Sequence, residues 1–277
     1  MGVVRGLCVA RVSGLVPYAD GLALQLALAD AVREARGGLG DVLVLLQHAP
    51  TYSLGRRLSG LSGGAPGPDL RGQDARALAA ATGADVTVSS RGGRATYHGP
   101  GQVVAYPIVS LRGLRLMPRA WVEGLEACTA DALNATFFRP SPKPHLEARP
   151  GVGPDRTGVW VGDAKVAALG VQVTGGVSVH GVAVNVDVDL GRFAPIVPCG
   201  IDDAEVTSVA RLLDARGGRE REGGTELVAQ AEDALARGFP DHFGHTVVGR
   251  VDVPAGALRD AAGVRDVVRA ICRSNVA

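Results

Sequence analysis

Cys199 is the side chain in this sequence whose setting best suits nucleophilic chemistry. It lies between Pro198, which fixes φ, and Gly200, which frees the chain, so the thiol stands on a sharply turned segment. A lysine or histidine nearby would activate such a thiol, and the strand-like stretches before it could bring Lys165 and His180 to one end of a sheet. Because free cysteines are usually packing residues, an inert buried thiol is the alternative.

The other three cysteines, Cys8, Cys128 and Cys272, lie in apolar or helical patterns and are interpreted as packing residues. No two cysteines have the spacing of a Cys-x-x-Cys motif, so we predict no metal site and no cofactor. The N-terminus has no basic region followed by an apolar run, and no run approaches the roughly 20 residues that span a bilayer. We therefore expect a cytoplasmic protein with reduced thiols and no membrane partner.

Two strand-like stretches, Gly158 to Thr174 and Val177 to Leu190, are predicted to form a hairpin. Gly175-Gly176 between them is a strong turn signal. In the second stretch the valines change from odd to even positions at His180-Gly181. Such a change of phase predicts a β-bulge at these two residues.

Lys165 is predicted to project from the apolar side of the first of these strands. It shares its parity with Leu169, Val171 and Val173. The charged form of a lysine is poorly solvated there, so Lys165 needs a partner or a function.

The segment from Arg91 to Gln102 is richer in glycine and polar residues than a turn between two strands requires. It holds four glycines, two arginines, a tyrosine and a histidine between two apolar runs. Glycines let a backbone approach a ligand, and arginine and histidine supply hydrogen-bond donors. The segment favours a binding site, first of all a phosphate cradle, and a surface loop without a ligand is the alternative.

The composition sets limits on the class of protein. A chain of 277 residues with 46% hydrophobic and 21% charged residues is typical of a globular protein with one large domain or two small ones. The net charge of +1 gives no electrostatic case for nucleic acid or an anionic membrane as the main partner. The content of 4% aromatic residues also argues against a platform for stacking bases.

The elements that must position these residues are predicted from apolar patterns. Val42 to Leu46 is a continuous apolar run, typical of a strand buried on both faces, and His48 to Arg57 after it is interpreted as a polar loop. Asp20 is predicted to cap one helix, and another runs from Asp74 to Ala81. A longer amphipathic helix is predicted from Pro118 to Asn134, with Trp121, Leu125 and Leu133 on its inner face.

These segments together resemble the octanoyltransferases of lipoate biosynthesis, the lipoyl(octanoyl) transferase family of the biotin/lipoate protein ligase-like superfamily. The resemblance covers roughly residues 18 to 240. It departs from the family at Ala95, where an apolar residue is usual, in a longer proline-rich segment 139–156 and in an added tail. It rests on Arg91-Gly92-Gly93 with Thr96 to Gln102, His48 to Arg57, Gly158 to Gly162, Lys165 to Gly170, His180 to Val186, and Pro198-Cys199-Gly200.

The resemblance implies an α+β fold, in which helices pack on a mixed, largely antiparallel sheet as in the catalytic domains of biotin and lipoate protein ligases. We expect this domain over residues 1–245 and a C-terminal extension of unknown role over 246–277. The implied activity moves an octanoyl group from octanoyl-acyl carrier protein to a lysine of a lipoyl domain. The implied acceptors are the lipoyl domains of 2-oxoacid dehydrogenases and the glycine cleavage H protein.

The same resemblance implies the roles of the site residues. Cys199 would hold the octanoyl group as a thioester, Lys165 would tune it, and His180 would support the site. Backbone N–H groups of glycine-containing turns at 168–170 and 181–183 are candidates for an oxyanion site. The arginines of the 91–98 segment are candidates to meet an acidic carrier protein at the rim. The residues implied to bind the acyl group are Arg91, Gly92, Gly93, Arg94, Ala95, Thr96, Tyr97, His98, Ala168, Leu169, Gly170, Gly181, Val182 and Ala183.

Three alternative functions remain open. An ATP-dependent lipoate or biotin protein ligase would use the glycine-rich segment to hold an adenylate, and it needs no cysteine nucleophile. A non-catalytic acyl-binding relative would need neither Cys199 nor Lys165. A cysteine hydrolase would release free octanoate without an acceptor domain.

Overall fold

The computed structural model describes residues 5–35, 40–58, 68–139, 146–152, 156–197, 205–215 and 223–275. Cys199 lies outside these described residues. In chain order the elements are β1 (Arg5–Val16), α1 (Tyr18–Glu34), β2 (Asp41–His48), β3 (Thr51–Leu54), α2 (Ala75–Thr82), β4 (Asp85–Val88), β5 (Ala95–His98), β6 (Gln102–Ser110), α3 (Leu111–Leu114), α4 (Pro118–Leu133), β7 (Ala148–Pro150), β8 (Val159–Val161), β9 (Ala164–Thr174), β10 (Val177–Asn185), β11 (Glu205–Val206), α5 (Val209–Ala215), α6 (Gly224–Phe243), β12 (His245–Pro254) and α7 (Ala261–Ser274).

The larger of two sheets forms the centre of the molecule. Its strands follow the order β12-β1-β2-β6-β10-β9-β8-β7, and β11 pairs with β9. The smaller sheet has the order β4-β3-β5. Of the ten strand pairs in the described residues, six are antiparallel and four are parallel. The predicted α+β fold with a mixed, largely antiparallel sheet is confirmed.

Helices cover both faces of the central sheet. On one face, α4 packs against α6 and places Trp121 beside Phe239 and Phe243, with its Nε1 donating to Ser178 Oγ at 2.8 Å. On the other face, α1 and α7 cover the sheet. The predicted helix from Pro118 is confirmed, because its residues Trp121, Leu125 and Leu133 are all buried.

The predicted hairpin is confirmed as β9 and β10, but the predicted bulge is wrong. The register runs without a shift from Val177, opposite Thr174, to Val184, opposite Ala167. Both faces of β10 are buried, so its valines can occupy either parity. Odd-numbered Val179 belongs to the core under α1, whereas even-numbered Val184 belongs to the core under α4.

Two strands of the smaller sheet were missed in the sequence, whereas a strand from Asp85 to Ser90 was predicted and is confirmed as β4. Residues 51–54 form β3 within the predicted polar loop, and residues 95–98 form β5 within the glycine-rich segment. All eight residues are buried. Each strand alternates between polar and apolar residues over only four positions, the shortest run in which such alternation predicts a strand. The apolar side of this sheet forms a separate core that includes Tyr52, Leu54, Ala95 and Tyr97.

The helix starts were predicted with mixed success. Asp74 caps α2 as expected, since its side chain accepts a hydrogen bond from the N–H of Ala77 at 2.7 Å. For α1 the predicted cap is wrong: the helix begins at Tyr18, after Pro17, and Asp20 lies in its first turn.

The C-terminal residues extend the central sheet beside the first strand. β12 pairs in parallel with β1, and both contact the buried Asp41 cluster. Arg5 and His245 donate to the carboxylate of Asp41, and Asn275 donates to its backbone carbonyl. Burial acts to raise the pKa of Asp41, but hydrogen bonds from His245, Arg5 and Ser110 outweigh it and lower the pKa. The domain boundary at residue 245 stays a prediction.

Candidate active site

A pocket opens between the smaller sheet and the face of β6, β9 and β10. It encloses about 460 Å³ of empty space, including its open mouth. Its walls come from four parts of the chain: the start of α1, the segment 91–98, strand β6 and the β9–β10 hairpin. The lining residues are Tyr18, Arg91, Gly93, Arg94, Thr96, His98, Val104, Tyr106, Ala168, Leu169, Gly170, His180, Gly181, Val182 and Ala183.

The structure brings together most residues that the sequence assigned to acyl binding. Eleven of the fourteen line this pocket, as does His180. The other three, Gly92, Ala95 and Tyr97, do not line it. Along β5 alternate side chains point to opposite sides, so Thr96 and His98 face the pocket while Ala95 and Tyr97 pack in the smaller core.

The floor of the pocket consists of small residues in register. Ala183 is paired with Val104 on one side and with Ala168 on the other, and Gly181 is paired with Gly170. These residues lie within strands rather than in the turns that the sequence suggested. Because glycine and alanine add little bulk to the sheet surface, the floor leaves a groove suited to a linear apolar chain.

One wall of the pocket is aromatic and polar, and the buried His48 stands behind it. His48 Nδ1 lies 2.9 Å from the carbonyl oxygen of Val16, which can only accept, so Nδ1 carries the proton. Nε2 then accepts the hydrogen bond from the Tyr106 hydroxyl at 2.6 Å. Burial lowers the pKa of His48 to about 4 and raises the pKa of Tyr106 well above its ordinary value. Both groups are therefore neutral at physiological pH.

A chain of hydrogen bonds runs from the pocket to Lys165. His98 Nδ1 donates to Gln102 Oε1 at 2.8 Å, and Gln102 Nε2 donates to Asn185 Oδ1 at 2.9 Å. Asn185 Nδ2 donates to the backbone carbonyl of Thr207. The backbone N–H of Thr207 donates to the backbone carbonyl of Lys165 at 2.9 Å. Burial lowers the pKa of His98 well below its ordinary value, and the nearby His48 and Arg91 lower it further.

His180 occupies a strained backbone position in the pocket wall. Its φ is +61°, and its N–H donates to Gln25 Oε1 at 2.7 Å instead of to the facing strand β6, where Pro107 lies. Nε2 is 3.4 Å from Ser90 Oγ, and Nδ1 is buried without a hydrogen-bond partner among the described residues. Burial lowers the pKa of His180 to about 4, and Arg91 adds to this effect.

Arg91 is a scaffold for the 91–94 turn. Its side chain donates to Ser53 Oγ at 3.1 Å and to the carbonyls of Ser53, Gly92 and Arg94 at 2.6 to 3.0 Å. The residue is only 8% exposed. It is therefore inaccessible to a carrier protein, and the expectation that the segment's arginines meet one at the rim now rests on Arg94.

Lys165 is buried on β9, as its parity predicted, with 4% of the residue exposed. Its Nζ donates to the carbonyl oxygen of Thr157 at 3.0 Å and lies 4.8 Å from the centre of the Trp160 ring. Carbonyl oxygens and the faces of aromatic rings are favourable neighbours for an ammonium group. Lys165 does not itself line the pocket, but Ala168 on the same strand does.

The described residues on either side of Cys199 in the sequence are hydrogen-bonded to segments that contact Arg94 and Lys165. Val197, two residues before it, donates its N–H to the carbonyl of Asp69 at 2.8 Å. Asp69 in turn pairs with the pocket residue Arg94 at 2.9 Å. After the gap the chain resumes as β11, which pairs with β9 at Lys165.

Three pocket residues were not predicted from the sequence: Tyr18, Val104 and Tyr106. Tyr106 and Val104 lie in an apolar run, which predicts a strand buried in the core. The tyrosine hydroxyl within such a run was the available signal, because a buried hydroxyl needs a partner. Among the described histidine, cysteine, aspartate and glutamate residues, no group of three could hold a metal ion.

A model of the lipoyl protein ligase A/B catalytic domain matches residues 17–222 of this sequence. The chain belongs to this family. It is 39% identical over 201 residues to a mitochondrial octanoyltransferase of Arabidopsis thaliana, covering 73% of this chain and 77% of that protein. It is also 39% identical over 241 residues to an octanoyltransferase of Rubrobacter xylanophilus, covering 86% of this chain and 94% of that protein. The resemblance to octanoyltransferases is confirmed, and these relatives favour that reading over a ligase.

Solved structures show the same fold. Lipoate-protein ligase A bound with ATP matches 98% of this chain and 95% of its own, with a TM-score of 0.66 and 15% identity. A lipoate protein ligase-like protein of T. acidophilum matches 97% of this chain and 94% of its own, with a TM-score of 0.64 and 14% identity. No helix within the described residues is long and apolar enough to cross a bilayer.

Proposed function

We propose that this octanoyltransferase takes its octanoyl group from the phosphopantetheine thiol of acyl carrier protein. Cys199 attacks the donor thioester, holds the octanoyl group as a new thioester and passes it to the ε-amino group of a lysine. The acceptors are lipoyl domains, including those of 2-oxoacid dehydrogenases and the glycine cleavage H protein.

The observation that carries this proposal is the pocket itself. A groove floored by alanine and glycine, beside a buried lysine, suits an alkyl chain with a reactive group at one end. The octanoyltransferase relatives supply the length and identity of that chain.

The chemistry needs neither ATP nor a metal. Exchange between two thioesters is close to neutral in free energy, and conversion of a thioester to an amide is downhill. A free thiol is only a few per cent thiolate at pH 7, and an ammonium group nearby raises that fraction while lowering the nucleophilicity of each thiolate. Positioning of the reactants must therefore supply most of the acceleration.

Lys165 closes the proton cycle between the two steps. Its ammonium group gives a proton to the departing phosphopantetheine thiolate and becomes a neutral amine. That amine then accepts a proton from the incoming lysine, whose ordinary pKa of about 10.4 keeps it charged at pH 7. Arginine cannot perform this cycle, because it does not release its proton.

The donor protein is expected to approach over the arginines at the mouth of the pocket. Arg56 and Arg57 are exposed, and their N–H groups donate to the carbonyls of Arg91 and Gly93 in the turn that lines the pocket. Arg94 is partly exposed in the same turn. An acidic carrier protein would be steered to this positive rim by charge complementarity.

One assay separates the proposed transfer from its alternatives. The purified protein is incubated with octanoyl-acyl carrier protein and an unmodified lipoyl domain, without ATP, and the domain is analysed by mass spectrometry. We expect one octanoyl group on the acceptor lysine. A requirement for ATP with release of pyrophosphate would establish a ligase. Free octanoate in the absence of the acceptor would establish a hydrolase, and no turnover of any kind would indicate a binding protein.

A further inference from the structure

A buried carboxylate that the sequence did not single out is linked to Lys165 through one peptide group. Glu126, on α4, is 5% exposed, and its Oε1 accepts a hydrogen bond from the N–H of Gly158 at 2.6 Å. The carbonyl of the same peptide group, which belongs to Thr157, accepts the hydrogen bond from Lys165 Nζ at 3.0 Å. The peptide therefore stands between a buried acid and a buried amine.

Gly158 is needed for this arrangement. Its φ is +141°, and a Cβ at this position would lie 2.7 Å from the carbonyl oxygen of Ala167 and 3.1 Å from Cε of Lys165. A larger residue would push the lysine side chain away or move the peptide that it contacts. The glycine therefore leaves room for the peptide to contact both side chains.

Glu126 is distinguished from the other charged groups near Lys165 by its burial. Among the described residues, the ion-paired side chains on the elements packed around Lys165 are between 43% and 100% exposed, and Asp214 on α5 is also exposed, so water screens them. These pairs are Arg119–Glu123 and Asp131–Arg139 on or after α4, Glu147–Arg149 at β7, Arg156–Asp163 around β8, and Glu205–Arg211 from β11 to α5.

The two groups also influence each other electrostatically. Burial raises the pKa of Glu126 above its ordinary value, while the hydrogen bond from Gly158 and the charge of Lys165 act against that rise. Because this attraction is mutual, the Glu126 carboxylate in turn stabilises a positive charge at Lys165. Hydrogen bonds at both ends of one peptide polarise it in the same direction, so each strengthens the other.

We propose that Glu126 is a positioning residue that keeps the Lys165 side chain charged and held at the Thr157 carbonyl. It does so until the phosphopantetheine thiolate that leaves the donor takes a proton from Lys165. This proposal rests on the proton-transfer role given to Lys165 under the proposed function. After that transfer the buried carboxylate has lost its counter-charge, which favours return of a proton to Lys165. The incoming substrate lysine supplies that proton.

The chain offers a direct test because its sequence has only two lysines, Lys143 and Lys165. Protein labelled with ¹³C at lysine Cε gives two side-chain resonances, and Lys143→Arg assigns them. We expect Glu126→Gln, which keeps an acceptor for the Gly158 N–H, to lower the midpoint of the Lys165 titration by about one unit. Glu123→Gln removes the same charge from an exposed position one turn away and should leave the midpoint unchanged. An unchanged midpoint in Glu126→Gln, or equal shifts in both variants, would overturn the proposal.

A second measurement needs no variant that might fold poorly. In the wild-type protein the Lys165 resonance should show a second, smaller inflection at the acidic pH where Glu126 takes up a proton. The inflection should persist in Glu123→Gln. Its absence from the wild type would overturn the proposal even if Glu126→Gln does not fold.

Kinetics separate this proposal from the function on which it rests. In the acylation half-reaction, Glu126→Gln should lose activity at a lower alkaline pH than wild type, whereas Glu123→Gln should follow the wild-type profile. An unshifted alkaline limb in Glu126→Gln would contradict the positioning role. If Lys165→Ala kept full transfer, the proposed role of Lys165 would fall, while the electrostatic link seen by NMR would stand.

Discussion

Ionisable groups in the pocket wall and around Lys165 are exposed to a similarly small degree, but their neighbours differ. Those in the pocket wall oppose a positive charge, and those around Lys165 favour one. His180 is 2% exposed, Lys165 is 4% exposed and Glu126 is 5% exposed. Burial lowers the pKa of His180 to about 4, and the neighbouring cation Arg91 and His48 add to this effect. Around Lys165 stand a carbonyl, an aromatic face and, through one peptide, a carboxylate.

The two regions therefore differ in the partners that surround their buried groups, not in how little of those groups is exposed. In the pocket, burial and the neighbouring Arg91 oppose a positive charge on the histidines, so the histidines beside the proposed acyl chain are neutral. Around Lys165 the neighbours accept a positive charge, which a proton donor to a thiolate requires. The protein thus separates a neutral region that suits an alkyl chain from a charged region that suits proton transfer.

The largest effect is expected from removing the side chain of Lys165. Lys165→Ala should lower octanoyl transfer by about 10²- to 10⁴-fold, the range for loss of a proton-transfer group. Lys165→Arg should be similarly slow, because a guanidinium group keeps its proton. Single-turnover transfer to a lipoyl domain measures this, and Lys143→Arg is the matched control. Wild-type turnover in Lys165→Arg would show that the proton cycle is wrong.

A smaller effect is expected from filling the neutral region. Ala183→Leu adds bulk to the floor of the pocket and should lower kcat/KM for octanoyl-acyl carrier protein by about tenfold or more, the cost of overpacking. The kcat/KM for a butanoyl donor should fall by a smaller factor, because its shorter chain covers less of the floor. Ala80→Leu, at an exposed position of α2, is the control. Equal losses for both donors would mean that the acyl chain does not lie on this floor.

The neutral histidines predict a stability that falls with acid. Their folded pKa lies below the unfolded value of about 6.5, so the unfolded chain binds more protons and stability is lost as pH falls from there towards 4. Between about pH 7 and pH 5, His48 and His180 should each lower the free energy of unfolding by about 2 kcal/mol. Urea unfolding at both pH values measures the loss. His180→Gln should reduce it by one histidine's share, and the exposed His242→Gln should not.

The smallest effect is expected at the rim. Arg57→Gln should raise KM for the carrier protein by about two- to fivefold at low salt, and the difference should shrink as salt screens the rim. The exposed Arg265→Gln on α7 is the control. A change in kcat rather than KM, or no dependence on salt, would remove Arg57 from the docking surface.

Much of the fold was accessible from the sequence wherever one strong local signal dominated. The Gly175-Gly176 turn, the continuous apolar run at Val42 and the Asp74 cap each specify their element with few competing readings. The parity of β9 also placed Lys165 in the interior correctly. What failed were the short strands β3 and β5, in which only four residues alternate between polar and apolar within predicted loops.

The site was predictable as a list of segments but not as a set of contacts. The resemblance brought residues 91–98 and the β9–β10 hairpin together, and they line one pocket. Glu126 was not accessible because nothing in an amphipathic helix shows that one of its acids turns inward. Its role depends on Gly158, which is distant in sequence and meets it only in the folded chain.

Intact-protein mass spectrometry after incubation with octanoyl-acyl carrier protein, in the absence of an acceptor, tests whether Cys199 carries the octanoyl group. We expect an adduct of one octanoyl group on the wild-type chain, none on Cys199→Ser, and loss of the wild-type adduct when a lipoyl domain is added. Transfer to the lipoyl domain by Cys199→Ser at the wild-type rate, or turnover with no adduct at any time, would contradict this role of Cys199.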